Sequence, residues 1–449
     1  MRVFKKTAVG FCLAATLLSY SSCQKDNNNN SNTTTAFEQQ FGSTSLMNYA
    51  DIKQTDDGGF LLLGTIDADN VTNDKRDLYV VKTDSLGNQE WANKYGTTSS
   101  NGYSYDEEGV KLAKINSTEY LVAGNQTFYN NGVIEKTKIV LYKINVTGST
   151  IGSPVVLRNA ATDSSATFTE KVRDVKADGT DFILTGSTTN IFPNKPGGTQ
   201  TTDRSDILIM RLNDQLENLW ISGITSYGFS GEDEGHAVIV KDDAYAVITT
   251  TQESTNSLTS QLRIILFRKS SGIILSTQQY GQSGQDVTVV AATLNPTDDV
   301  ITVLGTVTGG PNTGELLLLQ VGYNLVNQTA VKSAGSDFMF FGNTSGNLTA
   351  TTLEAGGIAY LPDAGGFIIS YTDQKATTND LGLLNIDQNF NIVANYPKLI
   401  TAKGNAAKAG TVLPIVVENN GNTVVEAHVL SAVFGTTSSQ QLGIIKVVN

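Results

Sequence analysis

The sequence predicts an all-β fold made of repeated antiparallel units, and three observations support this prediction. The 449 residues include 42 glycines, 8 prolines and 16% charged residues, with abundant Thr, Ser and Asn. This composition is typical of short strands joined by turns. Outside the N-terminus, no apolar pattern of helical period extends beyond about two turns. A tight turn followed by an apolar strand also recurs, as in TDDGGFLLLGT (55–65) and PDAGGFIISYT (362–372).

The recurring strand is present seven times at a nearly constant spacing. Each copy is preceded by a strand and a turn, and is followed by a long connection, a third strand and a weaker fourth strand. Four antiparallel strands in every 55–65 residues or so predict a seven-bladed β-propeller. The copies begin at Phe60, Tyr120, Phe182, Tyr245, Ile301, Phe367 and Val424, at spacings of 60, 62, 63, 56, 66 and 57 residues.

The two ends of the chain are predicted to complete one blade between them. The seventh copy ends at Asn449, directly after its third strand, LGIIKVV. The N-terminal segment FEQQFGS (37–43) is similar to the fourth strands STQQYGQ (276–282) and EWANKYGT (90–97). We therefore expect a propeller domain over residues 36–449, closed by an N-terminal strand that completes the last blade and leaves no unpaired strand edge at the seam. A solenoid of stacked sheets is the alternative, but it gives no reason for this N-terminal match.

The segment before the propeller predicts export. Arg2, Lys5 and Lys6 precede the uncharged apolar run TAVGFCLAATLL, which is too short to span a bilayer. The following SYSSC resembles the lipobox of bacterial lipoproteins, which implies cleavage after residues 1–22 and lipidation of Cys23. An ordinary cleaved signal with a chance cysteine is the alternative. Residues 23–35 are expected to form a flexible, Asn-rich tether.

Charge and cysteine content exclude several classes of function. Removal of Arg2, Lys5 and Lys6 from the 31 basic residues leaves 28 against 43 acidic ones, a net charge of −15. This balance argues against nucleic acid binding and against electrostatic adhesion to anionic lipid. Loss of Cys12 with the signal leaves Cys23 alone, so the mature chain has neither an internal disulfide nor a cysteine metal site.

The repeat also resembles a known group of proteins. The pattern DGGF…GT…DLYVVKTD…GN…W…YG, which extends over residues 36–449, is similar to secreted bacterial seven-bladed propellers. Many of these are Bacteroidota-type lipoproteins of unknown function. The resemblance implies an outer-membrane lipoprotein exposed at the cell surface, held in the outer membrane by its lipid anchor, and it supplies no catalytic motif.

Acidic residues cluster where fourth strands lead into first strands, on the expected side of the channel mouth. Converging carboxylates could hold a divalent cation or perform acid–base chemistry, with Glu232, Asp233, Glu234 and His236 as the metal candidates. The interpretation that we favour is structural, with each acid accepting backbone N–H groups that link neighbouring blades. The residues are Asp106, Glu107, Glu108, Glu170, Glu232, Asp233, Glu234 and Asp286.

A second acidic segment, DADNVTNDKRD (67–77), raises the question of calcium. An EF-hand loop needs glycine at its sixth position and glutamate at its twelfth, where this chain has Thr72 and Leu78. We therefore expect a solvated loop and no cofactor, with calcium as the alternative.

The distribution of loop length predicts where binding occurs. Connections between second and third strands are long, as is the fourth-to-first connection at 334–348, and all of these fall on one face. Aromatic residues in them are candidate contacts for a glycan or protein: Phe128, Tyr129, Phe192, Phe338, Phe340 and Phe341. The sequence thus favours a non-enzymatic binding or assembly module. The alternative is an enzyme, a metal-assisted lyase or hydrolase acting at the acidic channel mouth.

Overall fold

The computed structural model divides the chain into two units, Met1–Asn32 and Thr33–Asn449. The described residues all belong to the second unit. They are 34–44, 50–67, 76–97, 103–130, 132–157, 169–189, 205–220, 225–228, 231–252, 260–281, 285–323, 338–348, 352–375, 379–400, 406–419, 422–436 and 439–448. Within these ranges no helix has the length and apolar content to cross a membrane.

The described residues form β-strands and turns without a helix, which confirms the all-β prediction. The first strand, β1 (Thr34–Thr44), lies antiparallel against the last strand of the chain. Three four-stranded antiparallel units follow it, which we name sheets 1 to 3. Their strands are β2 (Asp51–Gln54), β3 (Phe60–Asp67), β4 (Arg76–Thr83) and β5 (Gln89–Tyr95); β6 (Tyr103–Lys114), β7 (Glu119–Asn130), β8 (Val133–Asn145) and β9 (Val155–Val156); and β10 (Glu170–Asp178), β11 (Asp181–Thr188), β12 (Asp206–Leu212) and β13 (Thr225–Tyr227).

Sheets 4 to 7 repeat this order. Sheet 7 takes its first three strands from the end of the chain and its fourth from β1. The strands are β14 (Asp233–Val240), β15 (Ala244–Thr251), β16 (Gln261–Arg268) and β17 (Ile274–Tyr280); β18 (Asp286–Asn295), β19 (Val300–Gly309), β20 (Leu316–Gly322) and β21 (Met339–Phe341); β22 (Leu353–Tyr360), β23 (Phe367–Gln374), β24 (Asn379–Ile386) and β25 (Lys398–Ile400); and β26 (Ala406–Asn419), β27 (Asn422–Thr436) and β28 (Ser439–Val448).

Two pairs of neighbouring units are joined into eight-stranded sheets, which the repeat did not predict. Each junction is a single residue pair, Arg76 opposite Asp106 between sheets 1 and 2, and Asn379 opposite Ala406 between sheets 6 and 7. The first junction is stabilised by a bidentate ion pair, because the Arg76 guanidinium donates two hydrogen bonds of 2.7 Å to the Asp106 carboxylate.

Local turn chemistry sets the boundaries of the strands. In the turn after β4, the Asp84 side chain accepts the backbone N–H groups of Leu86 and Asn88, at 2.8 and 2.9 Å. Asn145, Asn213 and Asp387 cap the equivalent turns of other sheets in the same way. Between β2 and β3, Gly58 has a φ of +83°, a conformation that most other residues avoid. Short polar residues and glycine therefore stop each strand where the sequence repeat places a turn.

The hydrophobic core lies between sheets. The described residues form seven apolar clusters, and each cluster takes its members from two consecutive sheets. One of them joins sheet 7 to sheet 1, with Phe41 and Leu442 packing near Ile52 and Tyr79. The first strands follow the same order, since each contacts the first strand of the next sheet and β26 contacts β2. Alternate residues of one strand thus face the two neighbouring sheets.

Candidate functional site

The acids at the starts of first strands bind backbone N–H groups or a cation, and several of these contacts link neighbouring sheets. Three occupy equivalent ladder positions, with Glu107 opposite Gln126, Glu170 opposite Thr188 and Asp233 opposite Thr251. Glu107 accepts the Thr97 N–H at 3.0 and 3.2 Å, Asp286 accepts the Ser260 N–H at 2.9 Å, and Asp233 accepts the Gln252 N–H at 3.0 Å. Glu170 instead pairs with the Lys138 ammonium at 3.1 Å. Glu107 and Asp286 thus accept N–H groups of the preceding sheet, as the structural interpretation expects, whereas Asp233 bonds within sheet 4 and Glu170 pairs with a cation of sheet 2.

A β-bulge recurs in the first strands and redirects one side chain in each. The register shifts in β6, β10, β14, β18 and β22 leave one extra residue, and in β26 two residues, Gly410 and Thr411, lie opposite one residue of β27. The extra residue is apolar or glycine in three of these strands. In β10 and β14 it is Arg173 and His236, so the bulges place a cation and an imidazole on neighbouring sheets.

Arg173, Glu234 and His236 form one polar network between sheets 3 and 4. The Arg173 Nε and Nη2 atoms donate to the two Glu234 oxygens at 2.7 and 3.3 Å, and the Ser187 hydroxyl donates to Glu234 Oε1 at 3.3 Å. His236 Nε2 lies 2.7 Å from the Thr250 hydroxyl, and its Nδ1 lies 3.9 Å from Glu234 Oε2. The geometry fixes the orientation of both the carboxylate and the imidazole.

The charges of this network are set by burial and by pairing. Burial lowers the pKa of His236 to about 4, against the attraction of Glu234, so the imidazole is neutral at neutral pH. Burial opposes ionisation of Glu234, but its electrostatic interaction with His236, the charge of Arg173 and the hydrogen bonds that it accepts hold its pKa below the usual value. The network therefore presents a fixed ion pair and a neutral imidazole.

A cleft of about 420 Å³ opens above this network, at the end of sheets 3 and 4 where the second strands finish. Its described lining is entirely polar or charged. Lys171 and Arg173 supply positive charge to this lining, and Glu232, Asp233 and Glu234 supply negative charge. Hydroxyl and amide groups supply most of the remaining surface, from Thr169, Ser187, Thr189, Ser205, Thr250 and Gln252. Pockets for apolar ligands have mostly apolar walls, so this cleft is suited to a small hydrophilic ligand.

Three of the four residues predicted as a metal site line this cleft and His236 lies in the adjoining network, but the four do not form one ligand set. Glu232 is exposed, Asp233 bonds to the Gln252 backbone, and Glu234 is directed at Arg173. His236 Nε2 is engaged by Thr250. Within the described ranges, no three His, Cys, Asp or Glu side chains converge in a way that could hold a metal ion. Most of the 67–77 segment lies outside those ranges, as does Cys23.

The aromatic candidates are less accessible than the sequence suggested. Phe338 and Phe341 are 3% and 2% exposed, and Phe340 is partly buried. The expectation of a loop at 334–348 is wrong for this part, because Met339–Phe341 is the fourth strand of sheet 5. Phe341 precedes Gly342 as Tyr95 precedes Gly96, and both aromatic rings pack between sheets.

The expected loop at 126–138 is a long hairpin. Phe128 and Tyr129 belong to β7, and the turn to β8 is short. Tyr129 is 8% exposed, whereas Phe128 is half-buried. The centroid of the Phe128 ring lies 5.2 Å from that of the Tyr105 ring and 5.4 Å from the Lys136 ammonium. The exposed apolar residues here are Val133 and Ile134, at 68% and 62%. Phe192 lies outside the described residues.

Sequence reasoning missed the basic and hydroxyl side of the cleft. Alternation along TEKVRD (169–174) was a usable signal, because Glu170 and Val172 are buried while Thr169, Lys171 and Arg173 face the cleft. The pairing of Arg173 with Glu234, 61 residues away, carries no local signal.

Comparisons with known proteins give similarity of overall structure only. No protein-family model matches the sequence, and no curated protein does. The structure is similar to Trypanosoma rangeli sialidase in complex with sialic acid (8% identity, 90% of this chain, TM-score 0.43). It is also similar to a mutant of NanB sialidase from Streptococcus pneumoniae, with 10% identity and a TM-score of 0.42. The similarity covers 91% of this chain and 70% of the sialidase. A third similar structure is the hemagglutinin-neuraminidase ectodomain of parainfluenza virus 5, with 9% identity and a TM-score of 0.39. The similarity covers 94% of this chain and 84% of the ectodomain.

The chain spans about half the length of the trypanosomal sialidase, 54%. Similarity at these identities and TM-scores assigns neither a family nor an activity to this chain.

Proposed function

We propose that residues 34–448 form a closed seven-bladed β-propeller that acts as a non-enzymatic binding module for a glycan. Closure is supported by β1 pairing with β28, by contact between β26 and β2, and by the apolar cluster between sheets 7 and 1. In such a ring β1 covers the edge of β28, and the edges that remain are the short outer strands of the blades.

The observation that carries the binding proposal is the polar cleft of sheets 3 and 4. Ligands rich in hydroxyl groups need many hydrogen-bond partners, and the cleft offers hydroxyls, amides and both signs of charge within about 420 Å³. The Arg173–Glu234 pair holds its walls in a fixed arrangement, so little ordering entropy would be lost on binding.

We further infer that Cys23 is lipidated and that the protein is an outer-membrane lipoprotein displayed at the cell surface. The lipobox-like SYSSC and the Asn-rich tether support this inference.

The binding proposal is tested with mature Cys23→Ser protein on a panel of immobilised glycans, followed by titration calorimetry with any that bind. Combined Lys171→Ala and Ser187→Ala substitutions remove two polar contacts of the cleft. Each hydrogen bond contributes about 1 kcal/mol, so affinity should fall by about tenfold or more. Asp242→Asn, on an exposed turn at the opposite end of sheet 4, is the matched control and should leave binding unchanged.

Two outcomes would contradict the proposal in different ways. Glycan binding that survives the double substitution but is lost in Phe128→Ala would move the site to the hairpin of sheet 2. New reducing ends released from a bound glycan would favour the alternative, an enzyme acting at the acids of the channel mouth.

A further inference from the structure

Five charged side chains meet where the first strands of sheets 1, 2 and 3 come together. We name them the central cluster: Asp51 and Lys53 from β2, Lys111 from β6, and Asp174 and Lys176 from β10. Their ladder positions are equivalent. Asp51, Lys111 and Asp174 each pair with a second-strand residue that directly precedes a glycine: Leu63, Ala123 and Thr185, respectively. Lys53 and Lys176 lie two residues after the aspartates, opposite Leu61 and Ile183.

Ion pairs connect members of the cluster, and one of these pairs crosses between sheets. The Lys111 ammonium lies 3.3 Å from Asp51 Oδ1 and 3.4 Å from the Thr411 hydroxyl of sheet 7. The Lys53 ammonium is 3.7 Å from Asp51 Oδ2, and the Lys176 ammonium is 3.3 Å from Asp174 Oδ1. Lys111 thus spans from sheet 2 to sheet 7 on the inner side of the first strands.

The two carboxylates are mainly committed to holding the sheets together. Asp51 accepts the Leu112 N–H at 2.9 Å and the Thr411 hydroxyl at 2.6 Å. Asp174 accepts the N–H groups of Val175 and Val238, both at 3.0 Å. Each lysine ammonium has more N–H donors than its ion pairs with Asp51 and Asp174 use, so donors remain for another acceptor. Three ammoniums against two carboxylates also leave a net positive charge in a chain whose overall charge is −12.

The ammoniums repel one another and are partly open to solvent. Burial lowers the pKa of Lys53, and the charges of Lys176 and Lys111 act in the same direction, against Asp51 and Asp174. The side chains of Lys53, Lys111 and Lys176 are 26%, 23% and 38% exposed. An anion placed among them would offset the repulsion and accept their unused hydrogen bonds.

We propose that Lys53, Lys111 and Lys176 form a binding site for a small oxyanion of the phosphate or sulfate class. The site lies on the axis side of the first strands of sheets 1 to 3, apart from the polar cleft, and does not depend on glycan binding there. The oxyanion could be a free ion or an anionic group carried by a sugar.

The test is titration calorimetry of mature Cys23→Ser protein with sodium sulfate and sodium phosphate, at ionic strength held constant with sodium chloride. A sulfated monosaccharide in a third titration separates the two sources. We expect saturable binding of at least one probe, and Lys176→Met should weaken it by about tenfold or more. Lys446→Met, on β28, the third strand of sheet 7, is the control and should not change it.

A second measurement uses the unmutated lysines, in case Lys176→Met impairs folding. Amine acylation followed by mass spectrometry gives the modification rate of each lysine in the presence and absence of sulfate. Sulfate should slow modification of Lys53, Lys111 and Lys176 but not of Lys446. Absence of binding by all three probes, or equal rates with and without sulfate, would overturn the proposal.

Discussion

At the scale of single residues, Glu107 shows how one buried acid responds to its surroundings. Its side chain is 0% exposed, accepts the Thr97 N–H and the Gln126 amide, and lies near Asp77 beside Gly96. Burial raises its pKa to about 7, with the Asp77 charge adding to the effect and the hydrogen bonds opposing it. The folded state therefore binds this proton more tightly than the unfolded chain does.

A pH dependence of stability follows from that shift. The stabilisation from the Glu107 proton should be complete below pH 4.5, the usual pKa, and be lost as pH rises to about 7. Glu107→Gln should remove this dependence and raise the free energy of unfolding at pH 8 by up to about 3 kcal/mol. Denaturant unfolding of the variant and the parent at pH 5 and pH 8 measures both effects.

Glu170 supplies the matched control, because it occupies the same ladder position in sheet 3 but is paired with Lys138. Glu170→Gln should destabilise the protein at both pH values by about 3 kcal/mol or more, since it leaves a buried ammonium without its carboxylate. If Glu107→Gln behaved in the same way, the assignment of a raised pKa to Glu107 would be wrong.

At the scale of an element, β1 is the strand whose contribution can be tested most directly. It pairs with β28 from Thr34 opposite Val448 to Thr44 opposite Gln440, and Phe41 is buried in the cluster between sheets 7 and 1. Deletion of residues 34–44 should expose the edge of β28 and lower Tm by several degrees. Differential scanning calorimetry of the mature chain with and without this segment measures the shift.

Phe41→Ala separates the packing of β1 from its hydrogen bonds. Loss of a buried phenylalanine typically costs about 3 kcal/mol or more, so this substitution alone should produce a large part of the deletion's effect. An unchanged Tm in the deletion would mean that the ring is closed in another way or is open.

At the scale of the whole molecule, attachment to the membrane is predicted to depend on one residue, Cys23. Cys23→Ser should abolish incorporation of labelled palmitate and release the protein from membranes, because one acyl attachment would then be missing. Cell fractionation with metabolic labelling tests this. Membrane association that persists without label would contradict lipidation at Cys23, while the binding test on the cleft would be unaffected.

The sequence by itself determined the strands and their order. Residues such as Gly58 and Asp84 stop a strand through their own backbone preference and short side chains, and alternation assigns each strand residue to one of two faces. These effects act within a few residues, so they can be found in a single chain. The second strand at Phe60 and the fourth strand ending at Tyr95 are where the repeat predicts them.

The tertiary structure alone decided which residues of different sheets meet. Arg173 and Glu234 are 61 residues apart, and Lys111 and Thr411 are 300 apart, yet both pairs are in contact. Phe341, which the sequence suggested as a surface contact, is buried because sheet 6 packs against it. The reason is that a neighbouring sheet supplies half of each interface, and a local pattern does not specify the side chain on the other half.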